Sequence, residues 1–211
     1  MRNFLALLGW SPGGDRELFF ELPEMIDAFS LESVQRKAAQ FDVKKLEWMN
    51  GQYLSMLPAA ELLAPVRRQL ERMGVDAGGR DLAPLVEATK ARARTITHIA
   101  EQVAVRLDGS RVTRDEKGEA LVRKLGAAYG ANLGLAAREL AAVPPAEWSP
   151  ERLIDVLKSA AERAGLKLGD LLQPVRVALT GGTVSEPVNE LLHVVGRDAS
   201  LARLEAAARA G

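Results

Sequence analysis

Apolar residues recur at helical spacing along most of this chain, and no stretch longer than a few residues alternates between apolar and polar side chains. Asp42 is a typical N-cap residue for a helix predicted over residues 43–56, and Ser149 followed by Pro150 marks the start of another. Further helices are predicted over residues 3–9, 23–29, 59–73, 116–143, 170–179, 186–195 and 198–210, with another helical stretch after Asp81. The pattern therefore predicts an all-α protein, built as a multi-lobed helical bundle.

Two proline-containing breaks divide this helical pattern into three regions. Leu57-Pro58 ends the first region, and Pro144-Pro145 separates the other two. We therefore predict regions at residues 1–57, 58–143 and 144–211.

Glycine recurs every fourth residue in the long predicted helix, at Gly126, Gly130 and Gly134. In a bilayer this spacing is typical of paired helices, but nearby arginines and lysines exclude a membrane span here. We therefore expect this face to pack closely against a neighbouring helix of the bundle. No apolar run approaches the ~18 residues of a membrane span, so no membrane partner is expected.

Basic and acidic residues balance, 28 against 28, which argues against a strongly basic nucleic-acid binder. Their distribution is less even, because residues 59–128 carry 13 basic and 10 acidic side chains. Basic residues are densest in one stretch, at Arg67, Arg68, Arg72, Arg80, Lys90, Arg92 and Arg94. Either this stretch forms a basic surface that meets phosphates, or its charges are solvated helix faces with ion pairs such as Arg67–Glu71.

The sequence offers no group of residues suited to catalysis or to metal binding. Cysteine is absent, and neither His98 nor His193 has a second ligand at metal-binding spacing beside it. No glycine-rich phosphate loop and no serine in a nucleophile elbow occurs, and Gly181 follows a helix as a C-cap does. We therefore expect no catalytic residue and no metal site, and a role in binding a large partner.

Three groups of segments carry a resemblance to a known family. They are Asn-Phe-Leu-Ala-Leu-Leu-Gly-Trp-Ser-Pro-Gly at 3–13 with Phe-Ser-Leu-Glu at 29–32, Phe-Asp-x-x-Lys-Leu-Glu-Trp-Met-Asn-Gly-Gln-Tyr at 41–53, and Leu-Gln-Pro-Val-Arg-Val-Ala-Leu-Thr-Gly at 172–181 with Thr-Val-Ser at 183–185 and residues 191–196. In this order they resemble the bacterial glutamyl-tRNA synthetases, in the part that follows the KMSKS-type loop. The resemblance extends over essentially the whole chain.

This resemblance implies the C-terminal portion of a glutamate–tRNA ligase, with a stem-contact region at 1–57 and two helical anticodon-binding lobes at 58–143 and 144–211. In the family, a class I catalytic domain activates glutamate with ATP and Mg²⁺ through a His-x-Gly-His type motif and the KMSKS-type loop. Neither motif occurs here, so we expect no cofactor in this chain and no aminoacylation by it alone. Whether Met1 is an artificial start, a truncation or the start of a short natural gene stays open.

The implied partners are tRNA(Glu) and a glutamyl-tRNA synthetase catalytic domain, joined covalently or in trans. A cytoplasmic, monomeric protein is expected. The alternative is a helical protein-interaction module of the same descent that no longer binds RNA. A third possibility, an enzyme in its own right, has no candidate group of catalytic residues in the sequence to support it.

The resemblance also implies RNA contacts in the third segment, at Arg176, Thr180, Ser185 and around Val188. The planar donor fork of Arg176 suits a phosphate or a base edge, and an ion pair within the protein is the alternative. Ser185 is predicted to cap the next helix, either to present its N-terminus to RNA or as a structural cap alone. The family pattern after this serine is Pro-Gly, whereas Glu186 follows here, and an acid beside RNA is unfavourable unless it accepts from a base.

Further contacts are expected from the other two regions. Arg92 and Arg94 are candidates for reading an anticodon base, because bases in single-stranded loops are accessible on their edges. A solvated basic face is the alternative for this pair. In the stem-contact region, Lys44 or Lys45 is expected to touch a phosphate, whereas Trp48 is expected to pack in the core.

Overall fold

Helices account for the regular structure of this protein, as the sequence pattern predicts. The structure is a computed structural model, which describes residues 1–14, 16–35 and 38–210. The described helices are α1 Arg2–Leu7, α2 Leu22–Ala28, α3 Val43–Met56, α4 Ala59–Arg72, α5 Ala83–Lys90, α6 Ile96–Leu107, α7 Glu116–Leu125, α8 Ala127–Ala141, α9 Pro150–Arg163, α10 Leu168–Thr180, α11 Val188–Val195 and α12 Arg197–Ala210. Over these ranges, none of the helices has the length and apolar character needed to cross a bilayer.

Side-chain caps fix several helix ends at the predicted residues. The Asp42 carboxylate accepts hydrogen bonds from the backbone N–H groups of Lys44 and Lys45, at 2.9 and 3.2 Å, and so starts α3. Ser149 caps α9 in the same way through the N–H of Arg152, at 3.3 Å. Gly181 ends α10 in the left-handed conformation, with φ of 81°, as its C-cap role requires.

The long helix predicted over residues 116–143 is wrong. Gly126 interrupts it with φ of 52° and ψ of −132°, a conformation that side-chain-bearing residues avoid, and α7 and α8 are separate helices. The expected close packing of the glycine face is also wrong at Gly134, because no atom lies within 4 Å of the position that a Cβ would take there.

Buried apolar side chains form two hydrophobic cores. The first is built by α4, α5 and α6, with Val66, Leu70 and Ile99 at its centre. The second is built by α8 to α12, with α7 packed against it. We call these the first helical unit (α4–α6) and the second helical unit (α7–α12). The expected boundary between residues 143 and 144 falls inside the second core, because α8 and α9 both contribute to it.

The described part of residues 1–57, the N-terminal region, is held together by packed aromatic rings, such as Trp10 against Phe19, and by polar contacts. The Tyr53 hydroxyl of α3 donates to the Phe19 carbonyl at 2.6 Å, and the Asn3 carboxamide bonds the backbone of Phe19 and Glu17. At the other end, Asn50 Nδ2 donates to the Arg94 carbonyl at 2.6 Å. This hydrogen bond holds the N-terminal region against the turn between α5 and α6.

Candidate nucleic-acid interface

The turn between α5 and α6 presents two arginine side chains to solvent. Ala93 between them is buried in the first core, so Arg92 and Arg94 on either side of it are exposed. The Arg94 carbonyl is fixed by Asn50, and Arg92 Nη1 donates to the Ala88 carbonyl at 3.3 Å. Neither arginine is within 4.0 Å of a carboxylate among the residues that the structure describes. Both charges are therefore available to an external anion.

Arg176, on α10 of the second helical unit, is held by the loop that leads to α11. Its Nη1 lies 3.0 Å from the Ser185 carbonyl, 3.1 Å from the Ser185 hydroxyl and 3.3 Å from the Glu186 carbonyl. Its Nε is buried and has no hydrogen-bond partner among the residues that the structure describes. Burial lowers the pKa of the Arg176 guanidinium, the positive charge of Arg92 lowers it further, and Glu186 opposes both. The side chain is thus held through Nη1.

Arg92 and Ser185 line one cleft between the two helical units, although 93 positions separate them in the sequence. The cleft has a volume of about 220 Å³, and His98 and Gln102 of α6 form part of its wall. Val184 stands at its edge with 72% of its surface exposed. Arg176 is joined to this cleft through its hydrogen bond to the Ser185 hydroxyl, so Ser185 links the predicted residues Arg92 and Arg176.

Thr180 and Val188 support this loop from within the protein. The Thr180 hydroxyl donates to the Arg176 carbonyl at 2.9 Å and lies 3.3 Å from the N–H of Gly182, so it closes the end of α10. Val188 is 2% exposed and belongs to the second hydrophobic core. A side chain with so little surface cannot be touched by RNA, which corrects its expected role as a contact.

The predicted N-cap role of Ser185 is wrong, because α11 begins at Val188 and its N-cap residue is Pro187. The Ser185 hydroxyl instead donates to the Glu186 carbonyl at 2.8 Å and faces the guanidinium of Arg176. The structure also accounts for the acid that follows this serine. Glu186 is 1% exposed and forms a buried ion pair with Arg106, so its charge is neutralised inside the protein.

The two lysines of the stem-contact segment differ in their availability. Lys44 is exposed on the first turn of α3, whereas Lys45 Nζ lies 2.6 Å from a carboxylate oxygen of Glu17. Trp48 is half-buried, in keeping with the packing role expected of it. Lys90 does not belong to the predicted basic surface. It is 8% exposed, and its ammonium donates to the Leu57 carbonyl at 2.7 Å.

Sequence reasoning missed His98, Gln102 and Arg106 as neighbours of the cleft. A signal was present, because residues four apart on a helix share a face, and these three follow one another at that spacing on α6. No group of three or more histidine, aspartate or glutamate side chains that could hold a metal ion occurs in residues 1–14, 16–35 and 38–210.

Both helical units, except for the last two residues of α12, lie within the part of the chain that matches a known family. The sequence model of the family described as anticodon binding domain matches residues 58–208. The chain belongs to this family.

Similar curated proteins include glutamate–tRNA ligases. The glutamate–tRNA ligase of Xanthomonas campestris pv. campestris is 38% identical over 206 residues, a match that covers 97% of this chain and 43% of the relative. The glutamate–tRNA ligase of Azorhizobium caulinodans is 37% identical over 215 residues, covering 97% of this chain and 44% of the relative. The chain therefore spans less than half the length of these relatives.

Among solved structures, a glutamate–tRNA ligase from Elizabethkingia meningosepticum, crystallised with its amino acid, superposes with a TM-score of 0.79. Sequence identity is 23%, and the superposition covers 99% of this chain and 40% of the other. The glutamate–tRNA synthetase of Elizabethkingia anophelis gives the same values. These likenesses confirm the all-α, multi-lobed fold.

Proposed function

We propose that this chain binds the anticodon loop of a tRNA in the cleft between its two helical units, and that the tRNA is tRNA(Glu). The observation that carries the proposal is a cleft lined by Arg92 and Ser185 of the two units, with Arg176 hydrogen-bonded to that same Ser185, in an anticodon-binding-domain protein. Two guanidinium groups from separate units repel each other unless an anion or an electron-rich base edge lies between them. Bases of a single-stranded loop can be splayed out and recognised on their edges, which a small cleft with fixed donors suits.

Within this proposal the two arginines have different tasks. Arg176 is half-buried and its Nη1 is held by the Ser185 carbonyl and hydroxyl, so the accessible part of its guanidinium meets an acceptor in a fixed orientation. Arg92 and Arg94 are exposed and lie on a turn, so they attract phosphate or an exposed base edge. Lys44, without a carboxylate partner among the described residues, is the better candidate of the two lysines for a stem phosphate.

The N-terminal region is proposed to contact a catalytic domain that binds glutamate, ATP and Mg²⁺. Twelve large apolar side chains are exposed in the described part of the chain, and eleven of them lie in residues 1–57. Among them are Ile26 at 62% and Leu31 at 77% exposure. A concentration of apolar surface is typical of a protein contact. The ligase activity belongs to the assembled enzyme in this proposal, and the chain alone is a monomeric, cytoplasmic tRNA-binding unit.

The same apolar surface favours a second candidate, a protein-interaction module that does not bind RNA. The balanced charge of the chain is compatible with it. The two candidates differ in what the arginines do. Removing Arg92, Arg94 and Arg176 together abolishes the function of an RNA-binding unit and leaves that of a protein-interaction module intact.

An electrophoretic titration of this chain with tRNA(Glu) and with an unrelated tRNA tests the proposal. We expect salt-dependent binding that favours tRNA(Glu), and loss of that preference in the triple variant Arg92→Ala, Arg94→Ala, Arg176→Ala. A matched control removes three basic side chains elsewhere, through Arg138→Ala, Arg152→Ala and Arg209→Ala. Equal affinity of the unaltered chain for both RNAs, or equal loss in the two triple variants, contradicts the proposal.

A further inference from the structure

An ion pair between Arg106 and Glu186, which both line the cleft, joins the two helical units. Arg106 belongs to α6 and Glu186 to the loop before α11, 80 positions further along the chain. Arg106 Nε lies 2.7 Å from Glu186 Oε1, and Nη2 bonds the second carboxylate oxygen. Both residues are 1% exposed, so this bidentate pair is cut off from solvent.

The remaining donors of Arg106 are used within its own helix. Its Nη1 donates to the Gln102 carbonyl at 2.7 Å and lies 3.1 Å from the Gln102 side-chain oxygen. Gln102 itself lines the cleft. A buried ion pair gains little net stability, because the loss of hydration offsets the attraction. Its geometry, by contrast, allows only one arrangement of the two segments that carry it.

The position of Glu186 determines what Arg176 can touch. Arg176 Nη1 bonds the carbonyl oxygens of Ser185 and Glu186 and the Ser185 hydroxyl. The carboxylate that Arg106 holds therefore belongs to a residue whose backbone holds Arg176. A shift of residue 186 away from Arg106 moves the acceptors on which the orientation of the Arg176 guanidinium depends.

Arg203 of α12 forms further hydrogen bonds at the end of α6, where Arg106 lies. Its guanidinium donates to the carbonyls of Val105 and Arg106, each at 2.9 Å, and lies 3.4 Å from that of Leu179. Through these hydrogen bonds the end of α6 and the end of α10 are held together. The backbone of Arg106 is thus fixed independently of the ion pair, and the side-chain pair fixes the loop relative to it.

We propose that Arg106 and Glu186 are positioning residues for RNA selection, which set the orientation of Arg176 and Ser185 in the cleft. The inference rests on the proposed function. Both side chains are buried and their charges cancel, so they add little to the general attraction of RNA. Their effect is on which RNA is preferred.

The substitution Glu186→Gln keeps the shape of the residue and removes the charge that fixes Arg106. We expect the preference for tRNA(Glu) over an unrelated tRNA to fall by about tenfold, while affinity for the unrelated tRNA changes by less than about twofold. Glu139→Gln is the matched control, because Glu139 also pairs with an arginine, Arg163, but on the exposed face between α8 and α9. An unchanged preference in folded Glu186→Gln overturns the proposal.

A double variant separates positioning from simple stabilisation. Replacing both members, as Arg106→Met with Glu186→Met, removes the unpaired charge that a single substitution leaves and is expected to regain stability. It does not restore the bidentate geometry, so the preference for tRNA(Glu) stays low. If regained stability brings back the full preference, the pair acts only on the fold and the proposal fails.

The two proposals fail in different measurements. If the unaltered chain binds tRNA(Glu) no better than an unrelated tRNA, the proposed function fails. The effect of the ion pair on the position of the loop is then measured without RNA. Amide resonances of Gly181, Gly182 and Thr183 in a ¹H–¹⁵N correlation spectrum report the conformation of the loop between α10 and α11. Shifts in Glu186→Gln that are absent from Glu139→Gln support positioning, whereas superimposable loop resonances overturn it.

Discussion

The two sides of the cleft present arginine in opposite ways. The first helical unit offers Arg92 and Arg94 on an exposed turn, with neither side chain near a carboxylate in the described residues. The second unit offers Arg176 from within a helix, half-buried and fixed by the carbonyls and hydroxyl of the neighbouring loop. An exposed charge attracts any phosphate, whereas a fixed donor discriminates between acceptors by their position. We therefore propose that the first unit attracts RNA and that the second unit selects it.

The largest expected effect comes from breaking the support of the fixed side. Arg106→Met leaves Glu186 as a buried, unpaired carboxylate, and we expect the free energy of unfolding to fall by about 3–5 kcal/mol. Urea denaturation followed by circular dichroism measures this change. Arg163→Met removes a solvent-exposed pair with Glu139 and is expected to cost less than about 1 kcal/mol. Similar decreases in both variants contradict the account of a buried, fixed side.

The second effect concerns selection by Arg176. Arg176→Ala removes a charged donor from the cleft, and we expect the affinity for tRNA(Glu) to fall by about 1.5–3 kcal/mol. Affinity for an unrelated tRNA changes less, because that RNA does not use the fixed donor. Arg176→Lys keeps the charge without the planar fork, so it recovers general affinity but not the preference. Filter-binding titrations with both RNAs measure the difference, and full recovery by lysine counts against fixed-donor selection.

The third effect concerns attraction by the exposed turn. Arg94→Ala is expected to weaken binding of both tRNAs equally, because it removes a charge that neutralises phosphate. The slope of log affinity against log salt should fall by about 0.7 for each phosphate that is no longer neutralised. Titrations at several salt concentrations measure this slope. Arg209→Ala, on the last turn of α12, is the control and leaves the slope unchanged. A change in preference without a change in slope reverses the assignment of the two sides.

The smallest effect distinguishes the two lysines of α3. Lys44→Ala removes an exposed charge, whereas Lys45→Ala removes one that Glu17 already neutralises. We expect a lower salt slope only for Lys44→Ala, by about 0.7 or less. Equal slopes in both variants remove Lys44 from the proposed RNA contacts. The same titrations across salt concentrations serve for this pair.

Local sequence signals predicted helix starts and ends well. Asp42, Ser149 and Gly181 act where the sequence placed them, because a cap depends on residues within one turn. The break at Gly126 was missed, because glycine inside a helical pattern is compatible with either a helix or a turn until its backbone angles are known.

The candidate site was predicted only in part, because its geometry depends on interactions between distant segments. Arg92 and Ser185 line one cleft from the two helical units, which the spacing of residues along one helix cannot reveal. The local sequence shows Glu186 only as an acid beside a predicted RNA contact. Its partner Arg106 lies 80 positions away, so the neutralisation of its charge cannot be predicted from neighbouring residues. Val188 was placed among the RNA contacts by its neighbourhood in the sequence, whereas its side chain packs in the second core.

The most direct test of the central claim follows the guanidinium of Arg176 during RNA binding. Its Nε–H is buried and has no partner among the described residues, so its resonance reports changes in the half-buried guanidinium although the Nε–H does not contact the RNA itself. The account predicts that the anticodon stem-loop of tRNA(Glu) shifts the ¹⁵Nε–¹Hε resonance of Arg176, identified by its absence in Arg176→Lys, and slows its exchange with water. A stem-loop that binds the chain with the same affinity but leaves this resonance unchanged contradicts an anticodon site in the cleft.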